Sequence, residues 1–124
     1  MPLPETVSQA WENREGPIVF TTVDTHGIPN SIYATCVRKT EKDTLVVADN
    51  FFNKTKTNIL SGSYGVILFI TAEGKSYQLK GEITYHTEGA VYDQMKAWNP
   101  EKLPGHAAAE LTVQYIYSGA EQLL

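Results

Sequence analysis

Apolar residues recur at helical spacing at the start of the chain, at Leu3, Val7, Ala10 and Trp11, and Gly16-Pro17 follows as a stop. The spacing predicts a short first helix. The pattern then changes. Ile18 to Asp24 is rich in β-branched and aromatic residues and ends on the turn His26-Gly27-Ile28-Pro29. Asn30 to Arg38 reads as a second strand, Lys39 to Asp43 as a polar turn, and Thr44 to Asp49 as a third strand. Asn50-Phe51-Phe52-Asn53 then breaks into a loop. Lys54 to Leu60, closed by Ser61-Gly62, predicts a short helix with Asn53 as its N-cap. Tyr64 to Ala72 and Lys75 to His86 pair as a hairpin around Glu73-Gly74. Val91, Met95 and Trp98 share one face of a further helix that Asn99-Pro100 ends. Leu111, Val113, Tyr115 and Tyr117 alternate with Thr112, Gln114, Ile116 and Ser118 in a last strand. Six strands with little helix predict a mainly β fold, a closed or nearly closed antiparallel barrel with short flanking helices.

Composition narrows the class. The 124 residues amount to one domain, without repeat, linker or low-complexity segment, and 42% of them are hydrophobic. Net charge is −4 and no Lys/Arg block occurs, which argues against nucleic acid or an anionic membrane as main partner. Apolar runs such as Gly65 to Ile70 are too short to span a bilayer. Met1-Pro2-Leu3-Pro4-Glu5 has neither the basic start nor the apolar stretch of a signal peptide. A single cysteine, Cys36, excludes an internal disulfide and suits a reducing compartment. The expected location is the cytoplasm.

Candidate chemistry concentrates in two segments. Asn53-Lys54-Thr55-Lys56-Thr57-Asn58 puts two lysines and two hydroxyls at the opening of a short helix. Helix openings present unbonded N–H groups and the positive dipole end, where phosphate binds. A solvated basic turn accounts for the segment taken alone. Lysine there opposes the dipole, however, so a negative group is expected nearby. The second segment is Gly27-Ile28-Pro29-Asn30-Ser31-Ile32-Tyr33-Ala34, where Asn30, Ser31 and Tyr33 add polar edges to an otherwise wall-like strand. A planar heteroaromatic ring needs such an apolar face with a few placed hydrogen-bonding groups. A turn followed by a half-buried strand explains the same residues. His26, His86 and His106 share no metal-ligand spacing. Cys36 reads as an inert mid-strand thiol. Neither a Gly-x-Ser-x-Gly nor a dinucleotide-binding glycine motif occurs. Gly81 interrupts a strand and marks a bulge or a close backbone approach.

Taken in order, the Gly27-x-Pro29 turn with its strand, Lys54-Thr55-x-x-Asn58, Gly81 and the ending Ser118-Gly119-Ala120-Glu121-Gln122-Leu123-Leu124 carry a resemblance. The chain resembles the pyridoxamine 5′-phosphate oxidase-like family of FMN-binding split barrels, and within it the short bacterial FMN-binding proteins. The resemblance implies a six-stranded antiparallel split barrel, FMN as cofactor and a homodimer with FMN at the subunit junction. By position, Lys54 and Thr55 match the phosphate ligands, with Asn58 in support, and Asn30, Ser31 and Tyr33 match the strand beside the isoalloxazine. Asp49, Asn50 and Asn53 complete the set implied for one subunit. Glu15, the His106 region, Leu123 and Leu124 are implied to approach from the other, with His106 and Leu124 counted among the cofactor-binding residues. The longer oxidases hold pyridoxal phosphate with segments this chain largely lacks, so FMN binding carries over and pyridoxamine phosphate oxidation does not.

The expected function is that of an FMN-dependent redox protein, a flavin-linked oxidoreductase or an electron carrier, with no catalytic residue named. The alternatives are a non-enzymatic flavin storage, scavenging or sensor module, and a barrel for another phosphate-bearing cofactor such as a deazaflavin or pyridoxal phosphate. A barrel this small is filled by its own side chains, so a flavin would lie outside the wall and need a second subunit for cover.

Overall fold

A computed structural model describes residues 2–124. The chain runs α1 (Glu5–Glu12), β1 (Ile18–Val23), β2 (Pro29–Ala34), β3 (Val37–Lys39), β4 (Leu45–Asp49), α2 (Lys54–Leu60), β5 (Tyr64–Ile70), β6 (Ser76–His86), α3 (Ala90–Trp98), β7 (Ala107–Ser118) and β8 (Glu121–Gln122). One antiparallel sheet, ordered β2-β1-β5-β6-β7-β4-β3 with β8 added on β7, curls into a half-barrel. The mainly β split-barrel architecture is the one expected.

Three details differ from the sequence reading. The expected six strands are seven along the sheet plus the two-residue β8. Asn30 to Arg38 is not one strand: it breaks at Thr35-Cys36 into β2 and β3, which lie at opposite ends of the sheet. The chain thus steps from one sheet edge to the other where the barrel fails to close, and the Ala48 N–H, donating to the Cys36 carbonyl at 2.9 Å, extends the β3–β4 pairing up to the step. The last strand starts at Ala107 rather than Leu111 and does not hold one alternation. Leu111 and Val113 are buried as expected, yet Tyr115 is exposed and Ile116 is in the core. The cause is a bulge: Gly81 pairs with Val113 and Lys80 with Tyr115, so Gln114 is the extra residue and every later side chain changes face.

The core fills the concave side. Phe20, Ile67, Leu79, Leu45 and Ile116 meet there, and α1 closes one side with Val7, Ala10 and Trp11, joined by Leu3 just before the helix, the four residues of the predicted apolar stripe. Trp11 meets Phe69 edge to face at 5.2 Å. A second, smaller cluster lies on the convex side, where Met95, Val91 and Trp98 of α3 cover Val46, Ala48 and Ala108. No helix among the described residues is long and apolar enough to cross a membrane.

Candidate functional site

β2 pairs with β1 along one edge only, and its other edge faces α2 and the β4–α2 corner across the barrel seam. Two clefts lie along that free edge. One, of about 260 Å³, is lined by Pro29, Asn30, Lys54, Thr57 and Asn58 together with Asp24 and Ile28. The other, of about 320 Å³, runs from Ile32 to Cys36 against Ala48, Asn50, Phe51, Phe52 and Leu103. The first, the polar cleft, is lined mainly by polar and charged residues and the second, the apolar cleft, mainly by apolar ones, and they follow one another along the same strand.

The polar cleft is held in place by buried amides and hydroxyls. Asn58 donates its Nδ2 to the fully buried Thr22 Oγ1 at 3.0 Å, tying α2 to β1. Asn30 Nδ2 donates to Thr55 Oγ1 at 3.3 Å, tying α2 to β2. Asn58 is therefore the docking residue of α2, and Lys54 is left exposed at its opening. Asn53 stands at the N-cap position as predicted, but its side chain makes no capping bond. Regular bonding in α2 starts at the Thr57 N–H, which donates to the Asn53 carbonyl at 3.2 Å. The amides of Lys54, Thr55 and Lys56 thus sit in the first turn, where a helix cannot satisfy them itself.

A negative group does lie near Lys54, and it belongs to the chain. The Asp24 Oδ1 accepts the Ile28 N–H at 2.9 Å and the His26 N–H at 2.8 Å. The Ile28 bond, followed by the His26 bond and the charges of His26 and Lys54, holds this carboxyl below its ordinary range.

The corner Asp49-Asn50 is buried, and its polar atoms are taken up inside the chain. Asp49 accepts the Phe52 N–H at 2.9 Å on Oδ1 and the Tyr85 hydroxyl on Oδ2. Asn50 and Asn99 exchange amide bonds of 3.2 and 2.8 Å, and Gly105 adds an N–H to Asn50 Oδ1 at 2.9 Å. What this corner shows to the seam is Phe51, 79% exposed, with Phe52 behind it. His106 is exposed next to the corner, its N–H donating to the Asp49 carbonyl.

Of the remaining predicted residues, Tyr33 alone borders a cleft. Strand alternation puts Ser31 and Tyr33 on the convex face of β2, opposite Asn30. Ser31 shares a 2.8 Å bond with Thr21, and Tyr33 is 78% exposed. Leu123 and Leu124 fold back on β7, where Ile116 donates to the Leu124 carbonyl, toward the end of the strand remote from Asp49. One subunit therefore gathers Asn30, Lys54, Thr55 and Asn58 at one cleft and Asp49, Asn50, Asn53 and His106 around the corner, with Tyr33 bordering the second cleft, but does not bring in Ser31 or Leu124. The sequence reading missed Asp24, Tyr85 and Asn99. Asp24 two residues before His26 in a Gly-Ile-Pro turn is a recognisable side-chain turn signal, whereas Tyr85 and Asn99 carry none.

A family model described as pyridoxamine 5′-phosphate oxidase matches residues 4–119. The chain belongs to that family. An uncharacterised protein of Methanocaldococcus jannaschii is 37% identical over 111 residues, 84% of this chain and 74% of the relative. HupZ of Group A Streptococcus superposes with a TM-score of 0.80 over 94% of each chain, at 24% identity. An FMN-binding protein from Syntrophomonas wolfei gives 0.69 over 84% of this chain and 77% of its own, at 18% identity. The fold is thus shared with solved structures well beyond the range of close sequence identity.

Proposed function

We propose that this chain binds FMN along the seam beside β2 and serves as a flavin-dependent redox protein, as a homodimer. The observation that carries the reading is the succession along one strand edge of a cleft lined mainly by polar and charged residues, Lys54 among them, and a cleft lined mainly by apolar ones. That order matches a ligand with a phosphate at one end and a flat apolar ring at the other. Asp24 is the feature that fits least, since its carboxylate faces the same polar cleft. Solved structures of the same fold include the FMN-binding protein of S. wolfei and an F420 reductase, which supports a flavin-type cofactor. When bound, the isoalloxazine supplies the electron chemistry. The residues of the chain hold the phosphate, cover the ring and limit its contact with water.

The convex face supports the dimer. Register places Tyr33, Val19 and Leu68 in one cross-strand row and Ser31, Thr21 and Val66 in the next. Leu68 and Ile70 are exposed there, as is Tyr33. A second copy covering this face would bury the apolar row and bring Ser31, and Tyr33 at the border of the second cleft, into a shared junction.

Visible absorption of the purified protein distinguishes FMN from a deazaflavin or pyridoxal phosphate. The expected result is a flavin spectrum with one FMN per subunit and a light-scattering mass about twice 13.8 kDa. A monomer that holds FMN tightly would refute the dimeric site. Turnover with a nicotinamide donor or a redox protein separates a redox catalyst from a storage module.

Tyr33 gives a second test. A phenol beside an isoalloxazine acts differently on its oxidised and reduced forms, whereas phosphate contacts act on both alike. Tyr33→Ala is expected to shift the flavin midpoint potential by roughly 30 mV, about 1.4 kcal/mol for two electrons. Thermal stability should change little, because Tyr33 is largely outside the core. An unchanged potential with lost stability would end this assignment.

A further inference from the structure

We infer that Tyr85 and Asn99 are positioning residues of the seam site, acting through Asp49 and Asn50 to fix the aromatic lip Phe51-Phe52 on which a ligand ring would rest. The inference builds on the flavin reading above. It changes the role of Asp49 and Asn50, which the family resemblance would count as ligands.

The argument is one of hydrogen-bonding capacity. Asp49 is 2% exposed, and both of its oxygens are occupied, one by the Phe52 N–H and the other by the Tyr85 hydroxyl. The Asn50 carbonyl oxygen takes two donors, Asn99 Nδ2 and the Gly105 N–H, and its amide donates to Asn99 Oδ1. A buried, satisfied side chain stiffens what it bonds, and the cost of leaving it unpaired is large. Here the bonded object is the backbone between β4 and α2. Asp49 grips the Phe52 amide directly, while Asn50 ties the same corner to the end of α3. Phe51 and Phe52 line the apolar cleft and Lys54 opens the polar one within three residues of each other, so the corner sets the spacing between ring contact and phosphate contact. Burial, and then the bond to Asp49, push the Tyr85 phenol well above its usual titration range, so the hydroxyl keeps its proton and stays a donor.

The test compares wild type with Tyr85→Phe and Asn99→Ala, each at a temperature where circular dichroism shows it folded. Three quantities are read: the FMN dissociation constant, the visible band of the bound flavin, and hydrogen exchange of the Phe52 amide. Tyr85→Phe is expected to weaken FMN about tenfold, the scale of a buried acceptor left unpaired. It should also speed exchange at Phe52 and move the flavin band. Asn99→Ala should do the same to a smaller degree, and it decides the question if Tyr85→Phe does not fold. A change of melting temperature with wild-type affinity and band would mean a merely structural role and overturn the inference. Wild type that takes up no FMN overturns the flavin reading first and this inference with it. Wild type that binds FMN, with both variants matching it, overturns this inference alone.

Discussion

Lys54→Ala is expected to lower FMN affinity by about one decade while leaving riboflavin affinity close to wild type. A hydrogen bond to a charged group contributes roughly 1.5–3 kcal/mol, and each 1.4 kcal/mol is about tenfold in affinity. Lys54 is exposed in the single subunit, so its charge is partly screened and the lower part of that range applies. The loss should shrink as salt is added, because screening weakens what the lysine contributes before its removal. Riboflavin lacks the phosphate, so a titration of both flavins isolates the effect. Asp24 supplies the opposite sign. Its carboxylate faces the same cleft, and Asp24→Asn should therefore raise FMN affinity while leaving riboflavin unchanged. Equal affinity of wild type for the two flavins would remove the phosphate site from the reading.

The elements with strong local signals were legible in the sequence. The α1 stripe, the Glu73-Gly74 hairpin and the Asn99-Pro100 stop of α3 each depend on residues within one turn or one loop, and each is where the pattern puts it. The features that were not legible depend on distant pairing. Nothing in Thr35-Cys36 signals that the strand crosses the barrel seam there, since both residues suit a continuous strand. Ala107-Ala108-Ala109 reads as helix by propensity. It is strand because its backbone pairs with β4 on one side and β6 on the other, and Ala108 packs under α3. Around the clefts, Lys54, Thr55 and Asn58 stand out in the sequence because a helix opening has a recognisable composition. The division of labour between them does not: Asn58 spends its amide on Thr22, and only the paired strand shows this. Asp49 and Asn50 teach the same point, since their partners Tyr85 and Asn99 lie 36 and 49 residues away in sequence.

Gly81→Ala should be the most damaging single methyl group in this molecule. A Cβ at Gly81 would stand 1.8 Å from the Thr112 carbonyl oxygen, 2.8 Å from its carbon and 3.2 Å from the Gln114 nitrogen. All three are backbone atoms of the neighbouring strand, so no rotamer change relieves the clash. They belong to the bulge between β6 and β7, the place where the pairing shifts and the side-chain alternation of β7 reverses. Relief therefore requires separating the two longest strands or moving the bulge, and moving it would turn Ile116 out of the core. Overpacking in a core ordinarily costs about 1–3 kcal/mol through shifted side chains, and this case lies at or beyond the top of that range because the obstacle is backbone. For a domain of this size about 3 kcal/mol corresponds to a fall of roughly 10 °C in melting temperature. Gly65→Ala is the internal comparison. Gly65 pairs with Gly81 across the β5–β6 ladder. Its added Cβ meets the Ile83 side chain, Cδ1 at 2.6 Å and Cγ1 at 2.9 Å. A side-chain tip can rotate away, so Gly65→Ala should cost distinctly less. The measurement is thermal or urea unfolding of the apoprotein at one fixed concentration, so that neither flavin nor subunit association shifts the comparison. A Gly81→Ala protein that melts within a degree or two of wild type, or above Gly65→Ala, would show that the bulge is not where the β6–β7 register puts it.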